Sequence, residues 1–182
     1  MKTLLKIACA ALVGAALVFA APVLVAQTGP AAPAKKKNWM PPAHKIYGQK
    51  LVDEMMAQHP ELLSVTLHGT PPGEKDIYTM FAGSYPERIG NPDDPDDIDV
   101  IKKGITILDP RWKRVNDTDK KFVVLMPMQD ARHENIGLVV FAFKNPPRPA
   151  GMERHYLDEA TKLRDELALK IKSYDALFEP VK

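Results

Sequence analysis

The sequence has 182 residues with a formal net charge of +2, and Cys9 is its only cysteine. If residues 1–26 are removed, as argued next, the mature chain keeps 23 basic and 23 acidic residues and has no cysteine. This composition excludes disulfides, thiolate metal sites and c-type haem attachment, and it offers no excess of positive charge for nucleic acid.

Residues 1–26 have the composition of a secretory signal peptide. Lys2 and Lys6 form a basic start, and an apolar run that ends among small residues follows them. We expect cleavage after Ala26, with cleavage after Ala20 as the alternative. The sequence therefore predicts an exported protein located in the periplasm.

Two other interpretations of this leader are weaker. The apolar run has about the 20 residues that cross a bilayer, so an uncleaved anchor helix is one of them, but Pro22 and the small residues favour cleavage. Lipidation at Cys9 is the other. A lipoprotein needs Leu or a similar residue three places earlier, and Lys6 stands there.

Residues 27–42 are rich in Pro, Ala and Lys, which is typical of a linker that cannot bury a core. Its three lysines, residues 35–37, could contact an anionic surface, but we expect a solvated tether. The remaining residues, 43–182, have the length of one domain.

The domain is predicted to begin with a helix and a hairpin. Tyr47, Leu51 and Met55 recur at helical spacing within a helix predicted over Ala43–Gln58, which Pro60 ends. Leu62–His68 alternates as a strand that places Ser64, Thr66 and His68 on one face and Leu63, Val65 and Leu67 on the other. A turn rich in Pro and Gly leads to a second strand over Ile77–Ala82.

The apolar residues in 83–97 have neither helical nor strand spacing. A short helix is predicted over Ile98–Lys103, because acids precede it and lysines end it, as the helix dipole favours. Gly104–Leu108 is predicted as the third strand.

The last part of the chain is predicted to form a hairpin and a long helix. Phe122–Met128 and Ile136–Phe143 are expected to pair antiparallel, and the nearly apolar second one should be central in the sheet. Apolar residues step by three or four from Tyr156 to Phe178, which predicts a helix over 152–178. The sequence thus predicts an α+β fold: a PAS-like five-stranded antiparallel sheet with an N-terminal and a long C-terminal helix.

Three stretches carry a resemblance to the Cache family of extracytoplasmic PAS-like sensor domains: 63–67, 123–130 and 135–140. In that family a strand ending in hydrophobic-Pro-x-x-Asp often leads through a tight loop to Ile-Gly. Pro127, Asp130, Ile136 and Gly137 occupy those places here. The loop departs from the family pattern, because Arg132, His133 and Glu134 replace the usual glycine.

The resemblance implies a small-molecule-binding sensory module that signals through a membrane receptor or another periplasmic protein. Because the chain stops after its last helix, it is expected to be a stand-alone secreted domain without catalytic residues or cofactor. Two alternatives remain open. One is a non-enzymatic protein-interaction module without a ligand pocket, and the other is a periplasmic enzyme of unknown chemistry.

The ligand-binding site is predicted where the irregular segment after the second strand closes over the sheet. Tyr78, Met80, Tyr85 and Arg88 enter that segment, and the forked guanidinium of Arg88 suits a carboxylate-bearing molecule. A surface arginine paired with Glu87 or Asp93 is the alternative. The predicted ligand-binding set also includes two methionines of one strand face, whose alternative role is packing in the core: Met126 and Met128.

The acidic run between Asn91 and Asp99 is the most unusual local sequence. Its carboxylates could hold Ca²⁺, but the spacing is not that of an EF-hand, and acids before a helix explain several of them. We therefore expect no metal site.

Overall fold

The computed structural model of the protein describes residues 35–111, 121–144 and 152–181. The expected signal peptide and both cleavage positions lie outside these residues. Within the described ranges, no helix combines the length and apolar character needed to cross a membrane.

The sheet has five antiparallel strands in the order β2-β1-β5-β4-β3. Their bounds are β1 Leu62–Gly69, β2 Thr79–Gly83, β3 Ile107–Pro110, β4 Lys121–Gln129 and β5 Asn135–Lys144. β1 pairs with β2, and β4 with β5, as the sequence predicts. The nearly apolar β5 is the central strand. The α+β class with a PAS-like antiparallel sheet is confirmed.

In the described residues, three α-helices cover the two faces of this sheet: α1 Tyr47–Gln58, α2 Pro95–Lys103 and α3 Met152–Lys170. α1 and α3 pack on one face, called here the α1/α3 face, where the larger apolar core lies. α2 packs on the opposite face, the α2 face. There Val100 lies in a smaller core with four residues of β4 and β5: Val123, Leu125, Leu138 and Ala142.

The register of β1 assigns its side chains to these faces. Val65 pairs with Phe141 of the larger core, and Leu67 pairs with Val139 of the same core. The three residues that alternate with them pair with residues on the α2 face, and all three are buried although polar: Ser64, Thr66 and His68. The predicted alternation of β1 is confirmed from Ser64 to His68. Leu63 is an exception, because an irregularity in the pairing exposes it and places Leu62 in the larger core.

Several element boundaries differ from prediction. α1 begins at Tyr47, because Ile46 is extended and pairs with Pro180. β2 begins two residues later than predicted, and α2 begins three residues earlier, with Pro95 in its first turn. β3 begins at Ile107 because Gly104 ends α2 in the left-handed conformation, with φ of 65°.

The last helix is shorter than predicted. α3 ends at Lys170, and a 3₁₀ turn over Asp175–Phe178 follows it. Two carbonyls at this end find partners outside the helix. Tyr47 Oη donates to the carbonyl of Lys170 at 3.1 Å, and the backbone N–H of Ala131 donates to that of Ile171 at 2.8 Å. The predicted apolar stripe is nevertheless buried along α3 itself.

Part of the predicted linker belongs to the domain. The backbone N–H of Asn38 donates to the carbonyl of Gly90 at 2.9 Å, and the ring of Trp39 meets Phe178 edge-on at 6.2 Å. The domain therefore begins before residue 43, because Trp39 buries apolar surface that a solvated tether would expose.

Candidate functional site

Residues 84–106, called here the excursion, fold back along the free edge of β2. The backbone N–H of Gly90 donates to Met80 O at 2.8 Å, and that of Met80 donates to Asn91 O at 3.1 Å. The N–H of Asp93 reaches Tyr78 O at 3.0 Å. These bonds extend the sheet beyond β2 and bring Asp93 to the α2 face, just before α2 begins.

His68 is the centre of a buried polar group on that face. Its Nδ1 lies 2.7 Å from Asp93 Oδ1, and its Nε2 lies 2.7 Å from Thr66 Oγ1. The side chain of His68 is 8% exposed and that of Asp93 is 0% exposed. The excursion is thus joined to β1 through an imidazole–carboxylate contact from which solvent is excluded.

One atom of this group has an unmet hydrogen-bonding capacity. Asp93 Oδ2 is buried and has no hydrogen-bond partner among the described residues. Buried carboxylate oxygens are normally satisfied, because leaving one without a partner costs about 1–3 kcal/mol or more. The oxygen therefore marks a place where a bound group would be stabilised.

Asp97 lies beside the same group, in the first turn of α2. One ligand atom each of His68, Asp93 and Asp97 lie within 4.8 Å of one another. Asp97 Oδ2 accepts the backbone N–H of Asp94 at 3.0 Å, as in a capping box. Burial raises the pKa of Asp97, and the charge of His68 opposes that rise. We call Thr66, His68, Asp93 and Asp97 the His68 cluster.

The acidic residues between Asn91 and Asp99 have two different surroundings. Asp94, Asp96 and Asp97 lie together at the start of α2, where the dipole favours acids, as predicted. Asp93, by contrast, points to His68. Asp97 belongs to both groups and connects the surface acids to the buried cluster.

Two kinds of chemistry are compatible with the His68 cluster. Thr66, His68 and Asp93 have the order of a nucleophile, a base and an orienting carboxylate. However, Thr66 is only 7% exposed, and a substrate carbonyl must reach the hydroxyl of a nucleophile. One imidazole and two carboxylates are also a set of donors for a cation. The burial of Thr66 favours binding over nucleophilic catalysis.

The six residues predicted to bind a ligand occupy different parts of the fold. Met80 is buried on the α2 face, directly opposite His68 in the pairing of β1 with β2. The ring of Tyr78 lies 5.0 Å from Lys102 Nζ of α2. Arg88 lies over the ring of Tyr85 at 5.6 Å and is exposed.

Placing Met126 and Met128 in the same site as Met80 is wrong. Both belong to the larger core on the α1/α3 face, so the sheet separates them from Met80. The alternative considered from the sequence, that they are core side chains, describes their position. Ligand binding by Tyr78, Met80, Tyr85 or Arg88 stays a prediction.

Sequence reasoning missed the His68 cluster, although part of its signal was readable. The shared face of Ser64, Thr66 and His68 follows from alternation alone. Three polar residues facing inward on an interior strand indicate a buried polar network, since such groups need partners. The acidic partner could not be identified, because its position depends on the path of the excursion.

Comparisons with known proteins give no family assignment. No protein-family model matches the chain, and no curated protein matches it. Among solved structures, the GAF domain of a two-component sensor histidine kinase from Bacillus halodurans is similar with 14% identity and a TM-score of 0.43, over 67% of this chain and 91% of that one.

Two further structures show the same level of similarity. The E. coli DcuS sensor domain has 17% identity and a TM-score of 0.37, over 63% of this chain and 70% of that one. The type II free methionine-R-sulfoxide reductase from Thermoplasma acidophilum has 12% identity and a TM-score of 0.41, over 69% and 93% of the two chains. All three TM-scores are below 0.5. The fold class therefore rests on the sheet of this chain itself.

Proposed function

We propose that this protein is a periplasmic sensory module of the Cache type that binds a small ligand on the α2 face. Binding of this ligand would be signalled to a membrane receptor or another periplasmic protein. The observation that carries the proposal is the contact of His68 with Asp93, which joins the excursion to the sheet. The other oxygen of this carboxylate, Oδ2, is buried and has no hydrogen-bond partner among the described residues.

This contact suits a switch better than a static support. A ligand that bonds to Asp93 Oδ2 would stabilise the present position of the excursion relative to any arrangement in which Asp93 is withdrawn. A ligand shifts such an equilibrium only through its different affinity for the two states, and an unsatisfied buried oxygen supplies that difference. The excursion also carries the exposed residues 86–88, where a partner protein could detect the change.

Export supports the periplasmic part of the proposal. The basic start, apolar run and small-residue border of residues 1–26 are those of a signal peptide. Sequencing of the N-terminus of exported protein is expected to give Gln27. Recovery of chains that retain Met1 in the membrane fraction would contradict this localisation.

The ligand-binding part is tested by a thermal-shift screen of the mature chain against metabolites and cations, followed by hydrogen exchange. A ligand that binds only the native state raises the melting temperature. We expect slower exchange at residues 84–106 with the ligand present, and loss of the response in Asp93→Asn. The matched control is Asp158→Asn on the exposed surface of α3, which should respond as wild type. Ligand binding that leaves exchange in the excursion unchanged would overturn the sensory role.

A further inference from the structure

We infer that His68, Asp93 and Asp97 form a binding site for a divalent transition-metal ion such as Zn²⁺. The inference rests on the proposed function in that it names the class of ligand bound on the α2 face. Its first support is geometric, because one nitrogen and two carboxylate oxygens converge within 4.8 Å of one another.

The spacing of these atoms suits a small cation. Zn²⁺ lies about 2.0–2.2 Å from imidazole nitrogen and carboxylate oxygen, which places two of its tetrahedral ligand atoms about 3.4 Å apart. His68 Nδ1 and Asp93 Oδ1 are 2.7 Å apart, so a small separation of the two side chains admits the ion between them. Asp97 Oδ2 accepts the backbone N–H of Asp94 in the capping box, and the other oxygen of Asp97 is the third ligand.

The second support is independent of this convergence. Asp93 is fully buried, yet its Oδ2 has no hydrogen-bond partner among the described residues. A metal ion would satisfy the carboxylate without requiring a hydrogen-bond donor. No other buried carboxylate in the described part of the chain shows the same deficit. Asp130, also fully buried, accepts hydrogen bonds from backbone and side chain with both of its oxygens.

Thr66 has the position of a residue that orients a metal-binding histidine. A ligating imidazole usually donates its other ring N–H to a neighbouring acceptor, which sets the tautomer and the ring orientation. Thr66 Oγ1 lies 2.7 Å from His68 Nε2. Without a metal, a proton on Nδ1 must lie between His68 and Asp93, because two lone pairs 2.7 Å apart would repel each other. The metal ion would take the place of this proton, while Nε2–H donates to Thr66 Oγ1.

The donor set decides which ions are suitable. Ca²⁺ and Mg²⁺ take oxygen ligands, whereas imidazole suits Zn²⁺, Cu²⁺, Fe²⁺ and Ni²⁺. Three protein ligands leave at least one coordination position for water or an anion. The exposed acids Asp94 and Asp96 lie beside Asp97 and raise the local concentration of cations at the outer end of the site.

The test is titration of Zn²⁺ into the mature chain, followed by calorimetry and by the melting temperature. We expect one saturable site per chain and a melting temperature that rises with Zn²⁺. His68→Gln and Asp97→Asn should each weaken binding by about 10-fold or more, since even residues behind the ligands contribute that much. Asp158→Asn, on the exposed surface of α3, is the control and should keep the wild-type affinity. Circular dichroism of the metal-free variants checks that each is folded.

Co²⁺ gives a second readout that does not depend on stability. Its visible absorption reports the ligands, so the spectrum of the wild-type complex should change or disappear in His68→Gln. Absence of saturable Zn²⁺ binding, or binding that survives His68→Gln unchanged, overturns the inference. Equal binding of Ca²⁺ that does not depend on His68 overturns it too, because it places the cation on the outer acids.

These outcomes separate the metal site from the sensory role. An organic ligand that slows exchange in the excursion, without any binding of Zn²⁺, overturns the metal site and leaves the sensory function standing. Zn²⁺ that binds through His68 but leaves exchange at residues 84–106 unchanged supports the metal site and overturns the sensory function.

Discussion

Nδ1 of His68 lies 2.7 Å from Oδ1 of Asp93, and this contact joins β1 to a residue 25 positions further along the chain. The two side chains are 8% and 0% exposed. Such a contact is costly to break from one side, because the remaining side chain is left buried without its hydrogen-bond partner.

Replacement of Asp93 is therefore expected to be strongly destabilising. Asp93→Ala should lower the free energy of unfolding by about 1–3 kcal/mol, because His68 Nδ1 is left buried without a hydrogen-bond partner. Asp96→Ala, in the same acidic run but exposed, should cost about 1 kcal/mol or less through the helix dipole. Urea denaturation of both variants measures the difference. Equal costs would show that the contact contributes little to stability.

The sequence allowed half of this site to be anticipated. Thr66 and His68 are two residues apart on one strand, so their shared face follows from the geometry of β-strands. Asp93 reaches them only because residues 90–93 bond along the edge of β2. The excursion has no regular spacing of apolar residues from which that path could be inferred. The neighbouring acids were also already explained by the dipole of α2.

Leu167 and Leu169 of α3 provide a matched test of helix packing. Leu167 is 2% exposed on the side that faces the sheet, and Leu169 is 75% exposed. Leu167→Ala should lower the free energy of unfolding by about 2–5 kcal/mol through lost burial and a cavity. Leu169→Ala should change it by less than about 0.5 kcal/mol. Thermal or chemical denaturation compares them, and a similar cost for both would contradict the packing of α3.

α3 also shows what periodicity can and cannot predict. The spacing of apolar residues identified its buried side correctly from Tyr156 to Leu167. The same spacing continues through Tyr174 and Phe178, although the helix ends at Lys170. Its end is determined by contacts from distant residues, since Tyr47 and Ala131 bond to carbonyls at residues 170 and 171. Such partners leave no mark in the local pattern.

Gly137 of β5 is expected to tolerate no side chain. A Cβ at this position would lie 2.6 Å from the backbone carbonyl oxygen of His68, which cannot move without shifting β1. Gly137→Ala should therefore destabilise the protein by about 1–3 kcal/mol or more. Hydrogen exchange should also become faster along the pairing of β1 with β5. In the control Leu169→Ala, on the exposed surface of α3, exchange in these strands should stay as in wild type.

The carboxylate of Asp130 should give stability a dependence on acidic pH. In the loop between β4 and β5, this carboxylate accepts hydrogen bonds from the Arg132 side chain and from the backbone N–H groups of Arg132 and Glu134. The hydrogen bond from the Arg132 side chain is the main reason why the pKa of Asp130 is below its usual value. A carboxyl group with a lower pKa in the folded state than in the unfolded state stabilises the fold at pH values above its unfolded-state pKa. This contribution is lost as the pH falls through the folded-state pKa.

Asp130→Asn should thus be less stable than wild type at about pH 7, and the difference should shrink below about pH 4, where the unfolded carboxyl group becomes protonated. Asp158→Asn, on the exposed surface of α3, is the control and should follow the wild-type pH profile. Denaturation at a series of pH values measures the free energy of unfolding of both proteins. A difference between wild type and Asp130→Asn that does not change with pH would mean that the charge of Asp130 does not contribute to stability.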